Sequence, residues 1–195
     1  MLVLIAPEED IKDEHIILNQ LFKAGLEYYH LRKPTKDYEG YKNYLGQIDR
    51  QFHNRVVVHQ FHELTADFQL KGVHFQEHKR RTSEPKELSK WIDREELTVS
   101  SSFHELKELE DCEYDFDYHL LSPVFSSISK KGYEGRGFNV KHISKKTIGM
   151  GGINADKLKE ISQMGYDGVG VLGAIWKSKE PVEDFKQMLK FYQGQ

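Results

Sequence analysis

Two glycine-bearing turns are the residues of this chain best suited to chemistry. In TIGMGGINADKLKEI (147–161) an apolar run leads into Gly151 and Gly152, and Asn154 stands where a helix would be capped. Paired glycines let the backbone approach a ligand closely, and free N–H groups at a helix start favour an anion. In DGVGVLGAIW (167–176) a second apolar run leads into Leu172 and Gly173 at a turn. The two turns lie one strand–helix unit apart, and the last two loops of a (β/α)8 barrel frequently build a phosphate site. Each alone reads equally well as a tight turn. Together they point to a phosphorylated small molecule.

Other residues offer charge or proton chemistry with less specificity. The segment SPVFSSISKKGYEGRG (122–137) carries hydroxyls at Ser126, Ser127 and Ser129 and cations at Lys130, Lys131 and Arg136. It suits an anionic substrate and a lid, or else a solvated loop. In YYHLRKP (28–34), Arg32 and Lys33 fall at the end of an apolar run, where a barrel strand would present them to the active face or to a surface ion pair. Among the ten histidines, His53, His59, His62, His74, His78 and His104 are scattered without a zinc-ligand spacing, so no metal site is expected from them. His59 and His74 stand near strand ends and could face a barrel mouth. No GxSxG or P-loop occurs, and no GxGxxG follows a strand.

The elements that must position these residues alternate along the chain. Strand-like runs are 2–6, 26–31, 56–59, 72–75, 97–101, 117–121, 147–150 and 168–172. Helical patterns fall at 14–24, 38–50, about 62–68, 86–94, 104–110, 155–164 and 180–193, and Gly25 sits where the first would stop. Eight such units in 195 residues predict an α/β protein, a single-domain (β/α)8 TIM barrel spanning 1–195. An open doubly wound sheet is the competitor, because periodicity does not show closure. The long segment 122–145 is the one unusual loop.

Composition narrows the partners. Charge is balanced, 28 basic against 31 acidic side chains for a net −3, which leaves no footprint for nucleic acid or a membrane surface. The opening apolar stretch is too short for a signal peptide or a membrane span. The single cysteine, Cys112, lies among acids in ELEDCEYDFD and reads as structural; a cytoplasmic protein is expected.

Several segments match one family together: HLRKP (30–34), GVHF (72–75), SFH (102–104), SPVFSSISKKGYEGRG (122–137), IGMGGI (148–153) and GYDGVGVLGAI (165–175). They resemble the thiamine-phosphate synthase family, including its TenI-like thiazole-tautomerase branch, nearly end to end. The resemblance implies a (β/α)8 barrel in thiamine biosynthesis. It implies a transferase joining a pyrimidine diphosphate to a thiazole phosphate, with magnesium and basic side chains drawing off pyrophosphate. By match, Arg32 and Lys130 would hold the pyrophosphate, with Ser102 in the catalytic set. His30 and His59 would line the substrate pocket, and Ser127 and Ser129 the thiazole side. Backbone N–H groups of Gly151, Gly152, Leu172 and Gly173 would hold the thiazole phosphate. A homodimer is a possible assembly.

The departures bear on mechanism. The family's Asn-Asp after the third strand is His59-Gln60 here, and its aspartate after the fourth falls near His78, with Glu77 the only nearby acid. Its glutamine is His30 and its lysine Pro34, with Lys33 one place earlier. Magnesium prefers carboxylate oxygens, so its ligands are not matched. Chargeable histidines there would oppose a metal cation and suit an anion. The tautomerase branch's catalytic histidine falls at Pro123, which cannot carry a proton. The alternatives to the transferase are therefore a tautomerase and a non-catalytic thiazole-phosphate-binding homologue.

Overall fold

A computed structural model describes residues 1–126 and 134–194. Eight strands form a closed barrel in chain order: β1 (Leu2–Ile5), β2 (Tyr28–Leu31), β3 (Val56–Val58), β4 (Gly72–Phe75), β5 (Thr98–Phe103), β6 (Tyr118–Leu121), β7 (Thr147–Met150) and β8 (Gly168–Val171). Every neighbouring pair is parallel, and β1 closes on β8 with Leu4 opposite Val171. The closed sheet excludes the doubly wound alternative.

Strand alternation sorts side chains into two cores. Val3, Ile5, Tyr118, Leu120 and Ile148 pack inside the barrel with Tyr28 and Met150. Leu4, Leu31, Val58, Val73, Phe75, Val99 and Val171 face outward under the helices. The covering helices are α1 (Glu14–Lys23), α2 (Tyr38–Gly46), α3 (Leu64–Phe68), α4 (Glu77–Thr82), α5 (Pro85–Ile92), α6 (Leu106–Glu110), α7 (Leu158–Gln163), α8 (Gly173–Trp176) and α9 (Pro181–Gln193). Their apolar stripes, such as Leu18, Leu21 and Phe22 on α1 and Phe185 and Met188 on α9, complete the outer core.

Three helical readings are corrected. The helix expected over 38–50 stops at Gly46, a weak helix former, and a 3₁₀ turn follows at Arg50–Arg55. The polar stretch holds two helices, because Pro85 starts α5 at its first turn and holds Glu84 extended behind α4. The turn expected at Gly173 is the first residue of α8, which Trp176 pins to the barrel by donating its indole N–H to Ile5 O at 2.8 Å.

Candidate active site

The C-terminal ends of the strands form the mouth of the barrel, where enzymes of this architecture place their chemistry. Its β7–β8 side is made of backbone. Gly151 and Gly152 both lie in the left-handed region, at φ +97° and +63°. A Cβ on Gly152 would come within 2.5 Å of Ser126 O, so only glycine fits. The chain leaving β6 folds over this turn, with Val124 N–H donating to Met150 O at 2.7 Å and Phe125 N–H to Gly151 O at 3.1 Å. Next to it, Leu172 leads into α8. Among the described residues, the N–H groups of Gly151, Gly152, Leu172 and Gly173 have no acceptor. Four backbone donors at two adjacent strand ends are suited to phosphate oxygens.

The β2–β4 side is made of side chains. His30 on β2, His59 just past β3 and His74 on β4 converge, with one nitrogen from each lying within 4.8 Å of the others. His30 Nδ1 is 2.9 Å from His59 Nε2, and the His59 and His74 rings are 4.2 Å apart. Beneath them, His30 Nε2 meets the Tyr118 hydroxyl at 2.6 Å and His74 Nδ1 meets Ser100 Oγ at 2.8 Å. Burial pushes the His30 imidazole down to about 3 and holds His59 and His74 well below the ordinary histidine range. All three are thus neutral near pH 7. The expectation that chargeable histidines would oppose a metal cation is corrected for His30 and His59. A cleft of about 410 Å³ opens beside the cluster, lined by His59, Gln60, His62, Gln76, Lys79 and Trp91.

The model of the thiamine monophosphate synthase family matches residues 2–175. The chain belongs to that family. The thiamine-phosphate synthase of Lactococcus lactis is 24% identical over 94% of this chain and 88% of its own length. That of Lysinibacillus sphaericus is also 24% identical, over 92% of this chain and 86% of its own length. A thiamine phosphate pyrophosphorylase structure from Bacteroides thetaiotaomicron superposes with a TM-score of 0.76 at 29% identity, covering 99% of this chain and 97% of its own.

The thiamine monophosphate synthase resemblance can now be checked residue by residue. Arg32 reaches the mouth and pairs with Glu8 at 2.5 Å. Lys33, one place from the family's lysine, turns to the loop after β1, where its ammonium pairs with Asp10 at 3.2 Å and donates to Glu9 O at 3.0 Å. Its side chain is fully buried against Glu14 at 2.8 Å, and Tyr44 donates to the same carboxylate at 2.5 Å. The β-strand alternation that points His30 inward sends Tyr29 and Leu31 outward, and the turn after β2 sends Lys33 the same way. Ser102 Oγ accepts the Glu77 N–H at 3.1 Å, at the first turn of α4. Arg136 is no free anion-binding cation, since it clasps Glu105 at 2.5 and 2.8 Å and donates to His104 O at 2.7 Å. Ser126 Oγ accepts from Gly135 N–H at 2.9 Å. Ser127, Ser129, Lys130 and Lys131 lie outside the described residues.

Magnesium does not fit the residues present. Glu77, the one acid near the family's aspartate position, is held by Arg81 and His104. Glu8 is held by Arg32. The His30–His59–His74 cluster brings nitrogen donors together where magnesium needs oxygen. Sequence spacing gave no sign of this cluster, because its members are 29 and 15 residues apart on three strands. The readable signal was that each histidine stands within a residue of a strand's C-terminal end.

Proposed function

We propose that this barrel is a thiamine-phosphate synthase-type transferase, working on a pyrimidine diphosphate and a thiazole phosphate. The four amides at the β7 and β8 ends that have no acceptor among the described residues, in a chain that matches the family over 2–175, carry this reading. They would hold the thiazole phosphate and so fix the thiazole nitrogen above the mouth. The bond from the pyrimidine methylene to the diphosphate oxygen breaks, that oxygen leaves with the electron pair as pyrophosphate, and the thiazole nitrogen's lone pair forms the new C–N bond. Arg32 would meet charge growing on the departing diphosphate, releasing Glu8 as it does so. His30 and His59 would border the pyrimidine, and Ser102 would keep the β4–β5 rim in place. Lys130, Ser127 and Ser129 enter on the resemblance alone. No step is routed through magnesium: the acids nearest the expected positions, Glu8 and Glu77, are ion-paired.

A second reading keeps the phosphate site without turnover. The ion-paired state of Glu77 favours it. The tautomerase reading has no proton carrier at Pro123. No helix among the described residues is long and apolar enough to cross a membrane. A cytoplasmic location goes with either reading.

The deciding experiment is thiamine phosphate formation by the purified protein from both substrates, with and without magnesium, alongside thiazole phosphate binding. Product that disappears in Arg32→Ala, with thiazole phosphate binding intact, supports the transferase. Binding without product in either condition establishes the second reading.

A further inference from the structure

We propose that His30, His59 and His74 form a binding site for one borderline transition-metal dication, zinc foremost, in the mouth of the barrel. The site is independent of which reaction the barrel performs.

Two observations converge on it. Among the described residues, these histidines are the group whose ligand atoms gather within 4.8 Å of one another. A tetrahedral zinc with nitrogen ligands at about 2.0–2.1 Å sets its ligand atoms about 3.3 Å apart. The 2.9 Å between His30 Nδ1 and His59 Nε2 is already near that value, and small ring rotations would bring in the third nitrogen. Next, the outer nitrogens of two rings are held by hydroxyls, His30 Nε2 by Tyr118 and His74 Nδ1 by Ser100. His30 Nδ1 shares a hydrogen bond with His59 Nε2, which a metal would replace, in the arrangement where a hydrogen bond on one ring nitrogen orients the other toward a metal.

The chemistry of the donors selects the ion. Imidazole nitrogen suits zinc, cobalt(II) and nickel(II), whereas magnesium prefers oxygen and retains its waters. Three protein ligands leave one position open, as in zinc sites that bind a water or a substrate atom. His59 also lines the cleft together with Gln60 and Gln76, so a water or phosphate oxygen would reach the open position from there. Neutral imidazoles would leave the ion's double charge for an anion to balance.

The test is a cobalt(II) titration of the chelator-treated full chain, read by visible absorption. One equivalent should produce the intense bands of a four-coordinate nitrogen site. Zinc should abolish them, and excess magnesium should leave them unchanged. His59→Ala and His74→Ala, checked for fold by circular dichroism, should each weaken binding by more than about 100-fold. Absence of the bands, or affinity unchanged in both variants, overturns the site. Should either variant fail to fold, zinc-edge X-ray absorption of the unmodified protein decides. Three imidazoles on the ion support the site, and fewer overturn it. Because no substrate is present, failure here leaves the transferase reading standing, and loss of turnover leaves this site standing.

Discussion

At the ends of β7 and β8 the barrel offers backbone: four N–H groups on turns shaped by Gly151 and Gly152. At the ends of β2, β3 and β4 it offers side chains: three histidines resting on Tyr118 and Ser100. The first half depends on φ angles and close approach, so it tolerates little change of residue at its glycines. The second depends on rotamers held by hydrogen bonds across strands, so its chemistry changes when single residues change. By the resemblance, this is the half where the family's acids are replaced, while the glycine turns are kept.

The largest effect should come from below the side-chain half. Lys33 and Glu14 form a buried ion pair behind β2, with Tyr44 and then Tyr29 continuing the chain of contacts. Lys33→Met removes one partner and strands the other charge. It should cost about 3–5 kcal/mol in urea unfolding, and a loss under about 1 kcal/mol would show that the pair does not brace the strand.

Gly152→Val tests the backbone half. A branched side chain meets both a positive φ and the Ser126 carbonyl. Thiazole phosphate affinity measured by calorimetry should fall about 100-fold, the equivalent of about 2.7 kcal/mol. The cobalt bands of the histidine half should persist in the same variant. Equal damage to both would break the division drawn between them.

Much of the fold was legible because both faces of the strands are buried and leave short apolar runs between amphipathic ones. The run 147–150 matches β7 at both ends, whereas β2 starts at Tyr28 rather than Leu26. Elements of one turn, such as α8, were missed because four residues are too few for periodicity to register. The glycine half of the site was legible because a glycine pair after a strand has a local meaning. The histidine half was not, since its members meet only through barrel register: His30 lies opposite Val57 and His74 opposite Ser100. The partners of Lys33 and Arg136 were not legible for a related reason. A cation's partner, Glu14 or Glu105, is set by packing and not by its neighbours in sequence.

Acid gives the smallest test and a reference point outside the mouth. His119 on β6 packs against Phe103 and Phe116, with Lys145, Asp115 and Arg80 the nearby charges. Burial pushes its imidazole down to about 4. The unfolded chain takes up this proton near pH 6.5 and the folded chain does not. Its stabilising contribution is therefore complete above about pH 6.5 and lost as pH falls toward 4, at about 1.4 kcal/mol per pH unit. Between pH 7.5 and 5.0 the protein should lose about 2 kcal/mol more than His119→Phe in urea unfolding. Parallel losses would place the acid sensitivity in the mouth histidines instead.

The barrel's strand order has a consequence for inheritance. Strands run β1 through β8 without a crossover, so the histidine half is encoded within residues 30–74 and the glycine half within 151–173. A lineage can therefore rewrite one stretch of its gene and keep the other, changing one half of the mouth while the opposite half passes down intact.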